Sequence, residues 1–230
     1  MSTMYTRYKR LLGTLLGRPR TLTTEEIFTE IFKSNSWLGK TSVSGSGSDP
    51  DQTQHIEIEL PKLFRRLNVS TLLDIPCGDF SWMSRVDLSE IKYLGADIVG
   101  ELISANAARY GSDNVSFTRA NMIADHLPRV DLILCRDGLV HLSFDDIRRA
   151  LRNICNSGST YLLTTTFPTR KSNDDIQTGS WRPLNLQIAP FNFPTSECLI
   201  REGCTENDGA FRDKSLGLWK INELRNRSIS

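Results

Sequence analysis

The sequence predicts an α/β protein built on a parallel sheet that helices cover on both faces. Short β-rich runs alternate with stretches of helical periodicity from residue 53 onward, and this alternation is typical of β-α-β units. The chain has 230 residues, of which 39% are hydrophobic. That is enough apolar material for one principal domain with a normal core.

The predicted elements follow one another in regular order. A helix from residue 53 to Leu67 comes first, and alternating strands and helices follow it. After Phe167 the chain becomes a loop rich in proline, asparagine and aromatic residues, and two strand-like runs then form a predicted hairpin at the sheet edge. The predicted strands are 71–75, 93–98, 115–119, 130–135, 160–166, 197–201 and 216–221, with helices at 99–110 and 144–156.

Residues 1–52 differ in composition from the predicted main domain at 53–230. Residues 1–20 carry five basic and no acidic side chains, and helical spacing of their apolar residues predicts a basic amphipathic arm. This arm packs on the parent domain or a second subunit, lies on a membrane surface, or serves as a transit peptide. A short helix at 24–35 and a Gly/Ser-rich loop at 36–52 follow, and the loop is either a linker or a lid over a ligand.

Composition also excludes several classes of protein. A net charge of +1 gives no general electrostatic footprint for nucleic acid. No apolar run approaches the roughly 18 residues needed to cross a bilayer, and no signal peptide is recognisable, so we expect a soluble cytoplasmic protein. The five cysteines form no CxxC pair, which predicts reduced, mostly structural thiols and no zinc site.

The segment TLLDIPCGDFSWM, residues 71–83, is the most informative in the chain. A buried strand ends at Asp74 and runs through Pro76 and Gly78 toward a predicted helix. Such a turn lets backbone N–H groups approach a ligand at the carboxyl edge of a parallel sheet. The spacing D-x-x-x-G offers poor room for a pyrophosphate and argues against NAD.

Polar residues also end the next two strands. Asp97 ends the second strand, where a carboxylate can accept both hydroxyl protons of a ribose. The third strand leads to Asn121, whose amide suits an adenine edge, and to Met122, which suits the ring face. Both strand ends therefore predict an adenosine-containing ligand.

The fourth strand ends in a charged pair followed by a histidine. Arg136 and Asp137 close the run VDLILCRD, and His141 precedes a helix that begins after Ser143. Histidine is the usual proton acceptor near neutral pH, although an imidazole bonded to a backbone carbonyl is an equal alternative.

Together these segments resemble the class I S-adenosylmethionine-dependent methyltransferases. LLDIPCGD is similar to their first motif, GADI to the ribose-binding acid, RANM to the adenine contact and LILCRDGLVHLS to the fourth-strand motif. The resemblance covers about residues 53–166. It implies a Rossmann-like, mostly parallel seven-stranded sheet with an antiparallel C-terminal strand, and S-adenosylmethionine as cofactor.

A narrower methyltransferase subfamily also resembles this chain in SVSGSGSD and PLNLQIAPFNFP. That resemblance implies that SVSGSGSD, which contains Gly45, forms a lid over the cofactor. It also implies that PLNLQIAPFNFP forms a wall of the substrate site. Trp181, Asn185 and Phe191 are the predicted acceptor-binding residues. The predicted cofactor-binding residues are Trp37, Gly45, Asp74, Pro76, Gly78, Asp97, Ile98, Asn121, Met122 and Arg136.

The predicted reaction is O-methylation of a sugar, a glycan or another polar small molecule. His141 would accept the hydroxyl proton while Asp137 orients the acceptor or the imidazole, and the rate would fall below about pH 6 as His141 protonates. Two alternatives stay open. One is a nucleotide-dependent oxidoreductase, and the other is a non-catalytic cofactor-binding subunit of another protein.

Overall fold

The computed structural model describes residues 21–225, so the predicted basic arm at 1–20 lies outside the described residues. One seven-stranded sheet, in the order β3-β2-β1-β4-β5-β7-β6, organises the chain. The strands are β1 Thr71–Asp74, β2 Lys92–Asp97, β3 Val115–Arg119, β4 Leu132–Cys135, β5 Tyr161–Thr166, β6 Cys198–Arg201 and β7 Ser215–Lys220. The main helices are α1 Thr24–Lys33, α2 Pro50–Leu67, α3 Gly100–Tyr110 and α4 Phe144–Asn156, with a last turn α5 at Ile221–Leu224.

Strand directions agree with the sequence prediction. Strands β1 to β5 pair in parallel, β7 pairs antiparallel with β5, and β6 pairs antiparallel with β7. The predicted mostly parallel seven-stranded sheet with an antiparallel C-terminal strand is confirmed, as is the hairpin at the sheet edge. Because β1 to β4 run in the same direction, their carboxyl ends lie at one edge.

Apolar side chains of the central strands alternate between two cores, one on each face of the sheet. Leu72 packs with α2 on one face, whereas Leu73 packs with α4 on the other. Helix α4 buries Ile147, Leu151 and Ile154, a spacing that places them on one helical face. The sheet is therefore a rigid platform for the residues that follow its strand ends.

Two sequence predictions about helices are corrected by the structure. No regular helix separates β1 from β2; a short turn at Met83–Arg85 stands there instead. Phe80 has a left-handed φ of 59°, which helices of L-residues avoid, and its ring packs between Tyr93 and Tyr110. Helix α2 begins at Pro50, three residues before the start that the sequence predicts.

Helices able to cross a membrane are absent from residues 21–225, since none is both long and apolar enough. All five cysteines are free, and only Cys198 is not buried. The structural role of these thiols stays a prediction.

Candidate active site

A cleft lies at the carboxyl edge of the sheet, where the ends of β1 to β4 meet the N-terminal segment. It brings together eleven of the residues that the sequence predicts for the site. These are Trp37, Asp74, Pro76, Gly78, Asp97, Ile98, Asn121, Met122, Arg136, Asp137 and His141.

Asp97 is fixed in this cleft by backbone donors from two elements. The Gly78 N–H donates to Oδ2 at 3.2 Å, and the Val99 N–H donates to Oδ1 at 3.0 Å. Burial raises the pKa of Asp97, while these backbone hydrogen bonds lower it. Each carboxylate oxygen keeps a second lone pair, so Asp97 can still accept two hydroxyl protons.

Gly78 allows the turn after β1 to approach the N-terminal segment closely. Its φ is +57°, and a Cβ there would lie 2.2 Å from Ser44 Oγ. The Asn106 Nδ2 donates to the Gly78 carbonyl at 2.8 Å and holds the turn against α3. Only glycine fits this backbone position without strain.

The Gly/Ser-rich segment at residues 42–48 packs directly on this turn. The Val43 N–H donates to Asp79 Oδ2 at 3.1 Å, and the Asp79 N–H donates to Ser44 Oγ at 2.9 Å. Ser42 and Ser48 are buried. This segment is therefore a wall of the cleft rather than a free linker.

The far end of the same segment contacts the C-terminal hairpin. The Ser46 hydroxyl donates to Glu206 at 2.6 Å, and Arg136 donates to the Gly47 carbonyl at 2.6 Å. Gly45 has φ +102°, and a Cβ there would lie 3.1 Å from the Trp37 Cβ. Gly45 thus supports Trp37 rather than lining the cleft itself.

Helix α1 supplies cleft residues that sequence reasoning missed. Phe28 and Phe32 line the cleft, although no residue of this helix is fully buried. A Cβ on Gly179 would lie 2.5 Å from Ile27, so helix α1 packs closely on the loop that follows β5. The sequence signal for a role in lining the cleft is the apolar face of this short helix, which precedes the predicted main domain.

Four charged residues form a group at the cleft, which we call the charge cluster: the buried Arg136, Glu202 and Lys214, and the partly exposed Asp137. Arg136 donates to Glu202 at 2.6 Å, and Lys214 donates to Asp137 at 2.6 Å. Lys214 also lies 3.5 Å from Glu202. Sequence reasoning missed Glu202 and Lys214, which the hairpin brings to the end of β4.

Asp137 is the anionic member of the charge cluster that lines the cleft. Burial alone would raise its pKa, but the charges of Lys214 and Arg136 lower it to about 2. The residue has a left-handed φ of 54°, and its N–H donates to Thr165 Oγ1 at 2.8 Å. Asp137 is therefore a fixed anion and not a proton acceptor near neutral pH.

His141 is held in one orientation by a backbone carbonyl and an aromatic ring. Its Nδ1 lies 2.8 Å from the Ser180 carbonyl oxygen, which makes Nδ1 the donor and leaves Nε2 as acceptor. The Trp37 indole stacks on it with ring centroids 4.4 Å apart. Burial lowers the pKa of His141 to about 4, so the imidazole is neutral at pH 7.

Two predicted acceptor-binding residues lie in the interior instead of the cleft. The Asn185 amide donates to the carbonyls of Pro168 and Arg170 at 3.2 and 2.9 Å, and Phe191 packs edge-on against Phe144 in the core. Those two predictions are corrected, because both side chains are committed to internal contacts. Trp181 is 38% exposed and contacts Phe167 and Phe211 outside the cleft lining.

Asn121 lines the cleft, and the oxygen of its side-chain amide already accepts a backbone hydrogen bond. Its Oδ1 accepts the Ile123 N–H at 2.9 Å, so Nδ2 is the group that remains for a ligand. Met122 and Ile98 provide apolar surface next to it.

Comparison with known proteins identifies the fold. The chain resembles magnesium protoporphyrin IX methyltransferase from Synechocystis PCC 6803, solved with bound SAM, at a TM-score of 0.57 and 13% identity over 88% of this chain and 99% of that one. It resembles human N-acetylserotonin methyltransferase, solved in complex with SAM, at a TM-score of 0.53 and 13% identity over 86% and 60%. No protein-family model and no curated protein sequence matches the chain.

A shorter alignment links the chain to an S-adenosylmethionine-dependent methyltransferase from Clostridium acetobutylicum ATCC 824. It has 15% identity and a TM-score of 0.42, and it covers 51% of this chain and 50% of that one. This chain thus spans about half the length of that protein. The two longer alignments and the strand order show that the chain has the fold of the class I S-adenosylmethionine-dependent methyltransferases.

Proposed function

We propose that this chain is a methyltransferase that uses S-adenosylmethionine. The observation that carries the proposal is the Asp97 carboxylate, which two backbone N–H groups hold at the end of β2, where it lines the cleft beside the turn at Gly78. Asp97 would accept the ribose hydroxyls, and Ile98 and Met122 would contact the adenine. When bound, S-adenosylmethionine supplies an electrophilic methyl group.

The two alternative functions have less support from these residues. An oxidoreductase needs a glycine-rich turn that admits a pyrophosphate, whereas a side chain fills the space beside Gly78. A non-catalytic cofactor-binding subunit needs neither a fixed anion nor a neutral imidazole at the cleft. Asp137 and His141 both line it, which favours an enzyme.

The acceptor that we propose is a hydroxyl group of a small molecule. His141 supports a hydroxyl, because its neutral imidazole offers Nε2 as an acceptor for that proton. A sugar or glycan remains a prediction from the sequence alone. Apolar side chains line the cleft on one side of His141, namely Trp37 and Leu142, with Phe28 beyond Trp37, and they favour an acceptor that has an apolar part beside its hydroxyl.

The direct test of the proposed activity is methyl transfer from labelled S-adenosylmethionine to a panel of acceptors. We expect label in hydroxyl compounds that carry an aromatic or aliphatic portion, and less in simple sugars. Transfer only to amines or thiols would contradict the proposed acceptor class. Tight cofactor binding with no transfer to any acceptor would instead support the non-catalytic alternative.

Replacing His141 by alanine tests the proposed proton acceptor. A positioned imidazole contributes about 10²–10⁴-fold to proton removal, so we expect His141→Ala to lower the single-turnover rate about a hundredfold or more while cofactor affinity stays unchanged. His126→Ala, at an exposed loop position, is the matched control. A rate within about threefold of wild type would leave positioning as the only contribution of His141.

The pH dependence that we propose for this reaction differs from the fall near pH 6 that the sequence alone predicts. Burial holds the pKa of His141 at about 4, so the neutral, proton-accepting form persists well below the usual range of histidine. The wild-type rate should therefore fall only as the pH drops through about 4, and not at pH 6. A rate that halves near pH 6 would show that the acting group is another residue.

Hydrogen exchange tests the lid role of residues 42–48. These amides already contact Asp79 and Gly45, and a bound cofactor would add contacts from the cleft side. We expect exchange across this segment to slow when S-adenosylhomocysteine is added, while the exposed loop at 111–114 exchanges as before. Equal exchange of residues 42–48 with and without ligand would contradict the lid role.

A further inference from the structure

Asp74, the last residue of β1, has a buried tyrosine as its hydrogen-bond donor. The Tyr93 hydroxyl donates to Asp74 Oδ2 at 2.7 Å, and the two residues are 1% and 2% exposed. Burial raises the pKa of Tyr93 well above its usual value. The hydroxyl therefore stays protonated and remains a donor to Asp74.

A glycine in β2 makes this contact geometrically accessible. Tyr93 pairs with Leu72, and Gly95 pairs with Asp74 in the parallel register of β1 and β2. Residues two apart on a strand share a face, so Tyr93 must cross Gly95 to reach Asp74. A Cβ on Gly95 would lie 3.0 Å from Tyr93 Cε1 and 2.7 Å from Phe117 Cδ1, so the two aromatic rings fill the space that the glycine leaves.

Asp74 is a cleft residue that forms no ion pair with any cationic side chain among residues 21–225. It lines the cleft together with Asp97 and Arg136, but Arg136 binds Glu202. The pKa of Asp74 is raised to about 7. Burial is the largest cause of this rise and the charge of Asp97 adds to it, whereas the Tyr93 hydrogen bond and the charge of Arg136 lower the pKa. The titratable groups that face Asp74 are Tyr93 and Asp97 of β2, Cys77 of the turn after β1, and Cys135 and Arg136 at the end of β4.

We infer that Tyr93 is a positioning residue of the proposed cofactor site, whose hydroxyl favours the charged form of Asp74 and so couples cofactor affinity to the ionisation of that carboxylate. The inference rests on the proposed function. S-adenosylmethionine carries a sulfonium charge, and a cation in the cleft interacts more favourably with the ionised than with the protonated carboxyl. Binding below the midpoint of Asp74 must therefore release a proton.

Calorimetric titration of S-adenosylmethionine from about pH 6 to about pH 9 tests the coupling. Wild-type affinity should rise as the pH passes through about 7, where Asp74 ionises. Tyr93→Phe removes a donor to the carboxylate and so raises the pKa of Asp74. Its affinity should be about tenfold weaker than wild type on the acid side and equal to wild type on the alkaline side.

Two further variants separate this role from a structural one. Asp74→Asn cannot ionise, so its affinity should not change across this pH range. Tyr110→Phe is the matched control, because Tyr110 contacts Phe80 in the same aromatic group as Tyr93 and has no hydrogen bond to Asp74. It should keep the wild-type pH profile.

Three outcomes would overturn the inference. The affinity of Tyr93→Phe for S-adenosylmethionine could follow the wild-type pH profile, or be lower by the same factor at every pH. Either result would show that the hydroxyl does not act through ionisation of Asp74. A wild-type affinity that does not vary with pH would exclude the coupling while leaving the proposed function intact. Wild-type protein that binds no S-adenosylmethionine at any pH would overturn the proposed function itself.

Discussion

Replacing Arg136 by methionine is expected to lower the free energy of unfolding by about 3–5 kcal/mol, because it leaves a buried carboxylate without its main partner. The Arg136 side chain is 3% exposed and that of Glu202 is 1% exposed. Glu202 Oε2 accepts from both Nε and Nη2 of Arg136, at 3.1 and 2.6 Å, whereas Oε1 has no hydrogen-bond partner in the described part of the chain. Lys214, at 3.5 Å from Oε2, would be the remaining cation.

Urea unfolding at neutral pH measures this effect, and Arg148→Met provides the control. Arg148 pairs with Asp145, whose side chain is 92% exposed, and exposed pairs of this kind contribute at most about 1 kcal/mol. Arg136→Met should therefore be much less stable than Arg148→Met. Equal stability of the two variants would show that the charge cluster does not support the fold.

Replacing Asp97 by asparagine is expected to weaken cofactor binding by about 2–4 kcal/mol, because charge-assisted hydrogen bonds to the ribose are lost in a buried site. Asparagine keeps the shape of the side chain but has one acceptor oxygen, which can serve the Gly78 N–H while the Val99 N–H loses its acceptor. With its oxygen on Gly78 the turn should stay in place, at a cost of about 1–3 kcal/mol in stability for the unpaired N–H, and the loss of affinity should exceed that of the control.

Calorimetry with S-adenosylhomocysteine measures the change, with Asp113→Asn as control. Asp113 is exposed in the loop before β3, so its replacement makes the same change of charge away from the cleft. Unchanged affinity in Asp97→Asn, or an equal loss in both variants, would contradict the assignment of Asp97 to the ribose.

The strand ends could be predicted from the sequence because parallel strands bring their carboxyl ends to one edge. Asp74, Asp97, Asn121 and Arg136 each lie at or just after the end of a predicted strand, and the structure places all four around one cleft. The location of these residues depends on strand direction alone, so local sequence patterns were sufficient to predict it.

Contacts between distant segments could not be predicted in the same way. Glu202 and Lys214 belong to the C-terminal hairpin, and nothing in their neighbourhood distinguishes them from surface charges. Asn185 and Phe191 lie in a loop whose composition does not indicate which side chains face inward. The structure shows both buried.

The helix predicted after β1 was wrong for a related reason. The segment DFSWM has apolar residues that suit a helix, but the ring of Phe80 packs into an aromatic group formed with Tyr93 and Phe117, which come from later strands. Tertiary packing therefore overrides the local pattern there.

The proposed cofactor is tested by a pair of calorimetric titrations of the wild-type chain, one with S-adenosylmethionine and one with NAD. We predict saturable one-site binding of S-adenosylmethionine with a dissociation constant on the order of micromolar, and little heat from NAD, because the turn at Gly78 is closed by Ser44 to a pyrophosphate. Saturable binding of NAD together with no binding of S-adenosylmethionine would contradict the account.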